Sequence, residues 1–329
     1  MLSRFCLIFF LLSGTQAFAL EKITFATNWL AQAEHGGFYQ ALADGTYARY
    51  GLDVKIAPGG AQGNQRLQLA AGKIDFYMGG NMLQPFSAVE NNVPTVAVAA
   101  IFQKDPQVLM VHPDVKAEKF EDLKNFTLMM AKALQVTTFR WMQASYGFDE
   151  KKLLSYNSSS VQFCRDKTIA QEGYATSEPY AIEKNCGFKP KLFLIADAGY
   201  DGYGTLIETH ADTIRKNPDL VQRFVDASLV GWRNYLDGDN KAANDLIKRD
   251  NPEMTDGQIA FSIAKMKEYG IVDSGDTKKL GLGAMTEARQ KRFFEQMVKA
   301  KLFSNSLDYK KAYTLQFVNK GVGAKSAGN

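Results

Sequence analysis

Only three cysteines, three histidines and three tryptophans occur among the 329 residues, and these scarcities remove several classes of protein. His35, His112 and His210 are far apart in the chain, and none stands near a cysteine at metal-ligand spacing, so no metal site is expected. Neither Cys164 nor Cys186 has a Cys-x-x-Cys partner or a neighbouring base, which argues against thiol catalysis. No Gly-x-Ser-x-Gly elbow and no Walker loop is present. Beyond the N-terminus there is no apolar run long enough to span a bilayer. The net charge is only +4 and the lysines are scattered, so nucleic acid is not an expected partner. There is no internal repeat.

What the chain does have begins at its N-terminus. Met1 to Ala19 combine a positive charge at Arg4, an apolar run from Phe5 to Leu12, then Ser13-Gly14 and an Ala17-Phe18-Ala19 ending. This order is that of a secretory signal, residues 1–19, with cleavage after Ala19 and Cys6 lost with it. The expected location is the periplasm. A mature chain of roughly 310 residues is long enough for two lobes with separate cores. In an oxidising compartment Cys164 and Cys186 could pair, and two separate buried thiols is the alternative.

Short β-like runs alternate with helical stretches through the first hundred residues: Ile23–Ala26, a helix near 37–50, Leu52–Ala57, a helix near 64–71, Ile74–Met78, a helix near 83–91 and Thr95–Ile101. That alternation predicts a sheet flanked by helices. A second α/β set follows from Val108 to Ile195, and Thr205–Glu208 reads as a strand returning to the first lobe. The remainder is helical. Asn217-Pro218 caps a helix whose Val221, Phe224, Val225, Leu229, Trp232 and Leu236 share one face. Thr255 and Gln258 form a capping-box pattern, a last helix runs near 287–301, and residues 321–329 are expected to be disordered.

Ligands of open α/β sheets sit beyond the carboxyl ends of strands, where loops and helix N-termini converge. The segments in those places are Asn28-Trp29, Glu34 to Tyr39, Gly79-Gly80-Asn81, Gly173 to Tyr180 and Gly199 to Gly204. They are rich in rings, glycines and a few acids. Such a mixture suits a flat, uncharged or cationic heterocycle, with rings for stacking and a carboxylate for ring or exocyclic nitrogens. The candidate ligand residues are Asn28, Trp29, His35, Tyr39, Gly79, Asn81, Glu178, Tyr180 and Tyr203. Glu178 has the alternative role of a helix cap, and Trp29 that of a lobe-edge packing residue.

Asn28-Trp29, then Glu34-His35-Gly36-Gly37-Phe38-Tyr39 and Tyr50-Gly51-Leu52-Asp53-Val54, resemble the solute-binding proteins related to thiamine-pyrimidine synthase. The segments Gly173 to Tyr180 and Gly199 to Tyr203 resemble its bacterial transporter branch. The resemblance covers nearly the whole mature chain. It implies an α/β, two-lobed periplasmic-binding-protein fold of type II, each lobe a sheet flanked by helices with the ligand cleft between them. Residues 20–103 and 204–320 would then build lobe 1 and residues 104–203 lobe 2. The implied role is that of a monomeric binding component handing a small-molecule solute to an ABC permease in the inner membrane. The implied solutes are a thiamine pyrimidine precursor or another nitrogen heterocycle, with sulfonate or nitrate as the alternative. The synthase branch needs pyridoxal phosphate on a lysine, a histidine and an iron-binding cysteine cluster. Here Gly79-Gly80 and Gly199 to Tyr203 stand in those places, so no cofactor and no catalytic residue are expected.

Overall fold

The computed structural model describes residues 19–60 and 63–325; the predicted signal segment, apart from Ala19, lies outside the described residues. The first unit contains β1 (Glu21–Ala26), α1 (Gly36–Ala43), α2 (Thr46–Arg49), β2 (Leu52–Ala57), α3 (Gln65–Ala70), β3 (Phe76–Asn81), α4 (Leu83–Glu90) and β4 (Thr95–Phe102). The second contains β5 (Gln107–Val111), β6 (Thr127–Met130), α5 (Lys132–Gln135), α6 (Thr138–Tyr146), β7 (Leu153–Ser155), α7 (Val161–Arg165), β8 (Ile169–Tyr174), α8 (Glu178–Cys186) and β9 (Lys191–Leu194). The chain then returns through β10 (Gly204–His210) to α9 (Ala211–Lys216), α10 (Pro218–Asp237), α11 (Lys241–Asp250), α12 (Asp256–Glu268), α13 (Thr277–Leu280) and α14 (Glu287–Lys299).

Two five-stranded sheets result, ordered β2-β1-β3-β10-β4 and β7-β6-β8-β5-β9. In each, one strand runs against the rest: β10 pairs antiparallel with β3 and β4, and β5 antiparallel with β8 and β9. Both odd strands are the ones the chain enters directly on leaving the other sheet. The two crossings, residues 103–106 and 195–203, therefore connect the lobes side by side.

The apolar stripe of α10 is buried as its spacing predicts, with Val221, Phe224, Val225 and Trp232 fully enclosed. Its N-cap is Asn217, whose side chain accepts from the Leu220 amide at 3.2 Å. Helix α1 lies so close to α10 that a Cβ on Gly36 would stand 2.0 Å from the Tyr235 ring and one on Gly37 2.1 Å from Trp232. These glycines serve helix packing and not a ligand.

Three local readings need correction. β3 extends through Gly79, Gly80 and Asn81, so these residues are ladder positions and not a loop after the strand; backbone pairing of Gly79 with Leu206 and of Asn81 with Gly204 holds them there. The expected disorder after Lys320 does not hold for residues 321–325, since the Gly321 amide bonds the Leu280 carbonyl, Val322 accepts from Leu282 and Gly323 accepts from Arg233. The capping box at α12 is half formed: Thr255 accepts from the Gln258 amide, but the Gln258 side chain reaches instead to Ser262 and across to the Ser177 carbonyl.

Candidate functional site

The carboxyl ends of β1 and β3, the start of α1 and the start of α8 face one another between the lobes. Glu34, on the turn entering α1, is 2% exposed and accepts a hydrogen bond from Thr176 Oγ1 at 2.5 Å. Thr176 belongs to the β8–α8 connection, so this bond spans the two lobes. Beside it, the Glu178 carboxylate turns back to accept from the Tyr174 amide at 2.7 Å. Glu172, on β8, accepts from the Ala131 amide at 2.8 Å through Oε1, while its Oε2 is buried without a partner. Asp105, at the base of the crossing, accepts from the Gln107 amide at 2.9 Å.

These four acids share one electrostatic environment. Burial pushes Glu34 up to about 7, Glu172 up to about 8 and Asp105 up to about 6, each opposed by its hydrogen bonds. The Glu178 charge adds to the upward push on Glu34 and Glu172. Glu178 is itself raised by desolvation, although its residue keeps partial exposure toward the cleft, so its shift is the most screened of the four. Tyr174 lies among all of them: burial first, and then the charges of Asp105, Glu34, Glu178 and Glu172, raise its phenol far above the ordinary range. Among the described residues no lysine or arginine forms an ion pair with any of the four acids. Buried carboxylates without cations favour a partner that brings hydrogen-bond donors or positive charge. The described residues contain no group of three or more His, Cys, Asp or Glu arranged to hold a metal ion.

The lobe 1 side of the cleft has a different character. A Cβ on Gly80 would lie 3.7 Å from Asn28 Nδ2 and 4.0 Å from Gln84 Oε1. Gln84 accepts from Arg66 Nη1 at 3.1 Å, and the same Nη1 contacts the fully buried Glu208 at 2.9 Å. Arg66 Nη2 and Glu208 Oε2 are buried and unpartnered. Arg66 and Gln84 line a cavity of about 640 Å³ whose far wall is Val136 and Thr137 of lobe 2.

Of the residues expected from the sequence, Asn28 and the half-buried Trp29 stand on the loop after β1, and Glu178 faces the acids just described. The others have positions fixed by packing. Tyr39 is enclosed within lobe 1 and donates to Asp250 at 2.9 Å. Tyr203 is sealed behind the cleft, its hydroxyl donating to Asp276 at 2.6 Å. Asn81 accepts from the Leu83 amide at 3.1 Å to start α4. Gly79 backs onto Glu208, whose Oε1 lies 1.9 Å from where a Cβ would stand. Tyr180 packs on Phe261 of α12 and so joins lobe to lobe. His35 is fully enclosed, its pKa driven down to about 3 by burial and its Nδ1 without a partner. Asp105 and Glu172 were missed because an acid in a strand or turn looks solvated until its neighbours are known, and Glu34 and Tyr174 lay in the segments singled out but were not named as ligand residues. Cys164 and Cys186 are bonded, with Cα atoms 5.4 Å apart, tying α7 to α8.

Comparison with known proteins agrees with this architecture. The family model described as NMT1/THI5 like matches residues 32–242. The riboflavin-binding protein RibY of Chloroflexus aurantiacus is 25% identical over 313 residues, covering 92% of this chain and 87% of RibY. The periplasmic aliphatic sulphonate binding protein SsuA of Escherichia coli superposes with a TM-score of 0.65 at 12% identity, covering 89% of this chain and 91% of SsuA. The periplasmic nitrate-binding protein NrtA of Synechocystis PCC 6803 superposes at 0.58 with 14% identity, covering 88% of this chain and 84% of NrtA. With two mixed sheets joined by two crossings and a match over most of its length, this chain belongs to the NMT1/THI5-like family and has the two-lobed α/β fold of periplasmic binding proteins.

Proposed function

We propose that this protein is the periplasmic solute-binding component of an ABC importer and that it closes on a flat nitrogen heterocycle rich in hydrogen-bond donors. The observation that carries the reading is the set of Glu34, Glu172, Glu178 and Asp105 around Tyr174, with no cationic partner and with Glu172 Oε2 unsatisfied. Ring or exocyclic N–H groups would satisfy these oxygens, and Trp29 would supply a stacking face. Pyrimidine precursors of thiamine and flavins both belong to this class, and the similarity to the riboflavin-binding protein RibY supports it. The reading assigns no chemical step: Gly79 leaves no amine for an aldehyde cofactor, and the Glu208 carboxylate fills the space beside it.

A second reading, a sulfonate-type oxyanion, is favoured by one observation, the unpartnered Arg66 Nη2 at the cavity wall. Its charge is already balanced by Glu208, which weakens its pull on an anion.

Calorimetric titration separates the two. Riboflavin, 4-amino-5-hydroxymethyl-2-methylpyrimidine and an alkanesulfonate would be tested between about pH 5 and pH 8. Donors favour ionised carboxylates, so a neutral heterocycle should bind more tightly as pH rises and release protons. An anion should bind more tightly as pH falls and take protons up. Binding of the sulfonate alone would overturn the heterocycle reading.

A further inference from the structure

We propose that Arg289 is the pin of the interlobe hinge, a positioning residue that holds both crossings on lobe 1 and confines lobe closure to residues 104–105 and 200–201. Arg289 lies on α14 and is buried. Its Nη2 donates to the Gln103 carbonyl on the first crossing at 2.6 Å and contacts the Gly202 carbonyl on the second at 3.4 Å. Nε donates to the Asp201 carbonyl at 3.2 Å and lies at the same distance from the Asp201 carboxylate. The guanidinium also sits 4.1 Å over the Tyr203 ring. One planar fork thus joins three backbone carbonyls from two strands of chain that are about a hundred residues apart in sequence, a geometry that a point-charge ammonium does not reproduce.

Around this fork the crossings divide. Gln103 is further tied to lobe 1, its amide donating to the Ile271 carbonyl at 2.7 Å and its side chain to Ala284. From Pro106 onward the bonds belong to lobe 2: Pro106 accepts from Ala175, and Gln107 accepts from Ile195. On the second crossing Asp197 and Ala198 bond back to Leu194, whereas Asp201 and Gly202 are held by Arg289. The Lys104 amide also bonds the Ile271 carbonyl at 3.2 Å, and the Gly199 and Tyr200 amides bond the Ala196 and Ile195 carbonyls of the lobe 2 turn, so the two anchorages meet at Lys104-Asp105 and at Tyr200-Asp201. Gly199 has φ +101°, a conformation open to glycine and costly for other residues. Tyr200 forms the bearing, its ring edge-on to Trp141 of lobe 2 at 5.1 Å and to Phe293 at 5.0 Å. Phe293 stands one helical turn after Arg289, so a single face of α14 presents both the pin and its bearing surface. The family match ends at residue 242, and α14 lies beyond it.

The test needs no ligand. Leu67 and Val136 are 72% and 70% exposed, lie on opposite lobes and line the same cavity. Spin labels on cysteines placed there, with the native disulfide intact, report the gap by double electron–electron resonance. Arg289→Met and Arg289→Lys should each broaden the distance distribution about twofold, since hinge closure directed by few residues loses its fixed pivot. Lys291→Met, on the exposed face of the same helix, should leave it unchanged. A wild-type distribution in folded Arg289→Lys overturns the proposal even if the methionine variant fails to fold, and equal broadening in Lys291→Met does so too.

Discussion

Thr176 donates to Glu34 across the cleft at 2.5 Å, and the bond joins two lobes whose sheets share no strand. It exists only while the lobes are together. The Thr176 bond opposes the upward push of burial on Glu34, so the protonation of Glu34 is coupled to the relative position of the lobes.

The coupling gives the ligand-free protein a defined pH response. The folded state raises Glu34 to about 7 and Glu172 to about 8, from an ordinary value of 4.5, so between those limits it binds more protons than the unfolded chain. Their stabilising influence is complete below about pH 4.5 and is lost as pH rises through 7 and 8. Thermal melts should show stability falling from about pH 5 to pH 8, by on the order of 3 kcal/mol for Glu34. Glu34→Gln and Glu172→Gln should each flatten the slope; an unchanged slope in both would refute the assignment.

Glu178→Gln is nearly isosteric, and its side-chain oxygen can still accept from the Tyr174 amide. The substitution removes charge while keeping the loop. Affinity for a donor-rich heterocycle should fall by about 1.5–3 kcal/mol, measured by calorimetry on folded protein. Trp29→Ala should weaken all flat ligands together by about 1–3 kcal/mol, including those lacking the N–H donor. Undiminished binding by Glu178→Gln would leave the carboxylate a purely structural group.

Replacing Cys164 and Cys186 with serine opens a link between residues 22 apart in sequence. Urea unfolding should show a loss of about 2–4 kcal/mol. Because the bond ties α7 to α8 and lies away from the acids, solute affinity should change little. A folded double variant that no longer binds solute would contradict this.

Gly79→Ala tests whether the glycine is needed for space. The new methyl would meet Glu208 Oε1 at 1.9 Å and disturb its pair with Arg66. A destabilisation of about 1–3 kcal/mol is expected from overpacking alone. Glu208→Gly in the same chain should recover space but leave Arg66 unpaired; full stability of Gly79→Ala alone would show that the carboxylate can move aside.

Periodicity and capping residues were enough to place α10 from its Asn217 cap onward and the alternation of strands and helices, because those signals are local to the chain. The sequence also brought Trp29 and Glu178 forward as candidates. Tertiary structure alone decided which polar groups share a cleft. Glu34, Asp105 and the pair Glu172 and Glu178 come from three separate segments, and Asp105 and Glu172 would each be an unremarkable solvated acid until folding removes its water and leaves it without a cation. The same holds in reverse for Tyr39 and Tyr203, whose aromatic and hydroxyl character suits a ligand as well as a core. Only their hydrogen bonds to Asp250 and Asp276 assign them to packing, because a side chain's direction depends on partners that lie some 70 to 210 residues away.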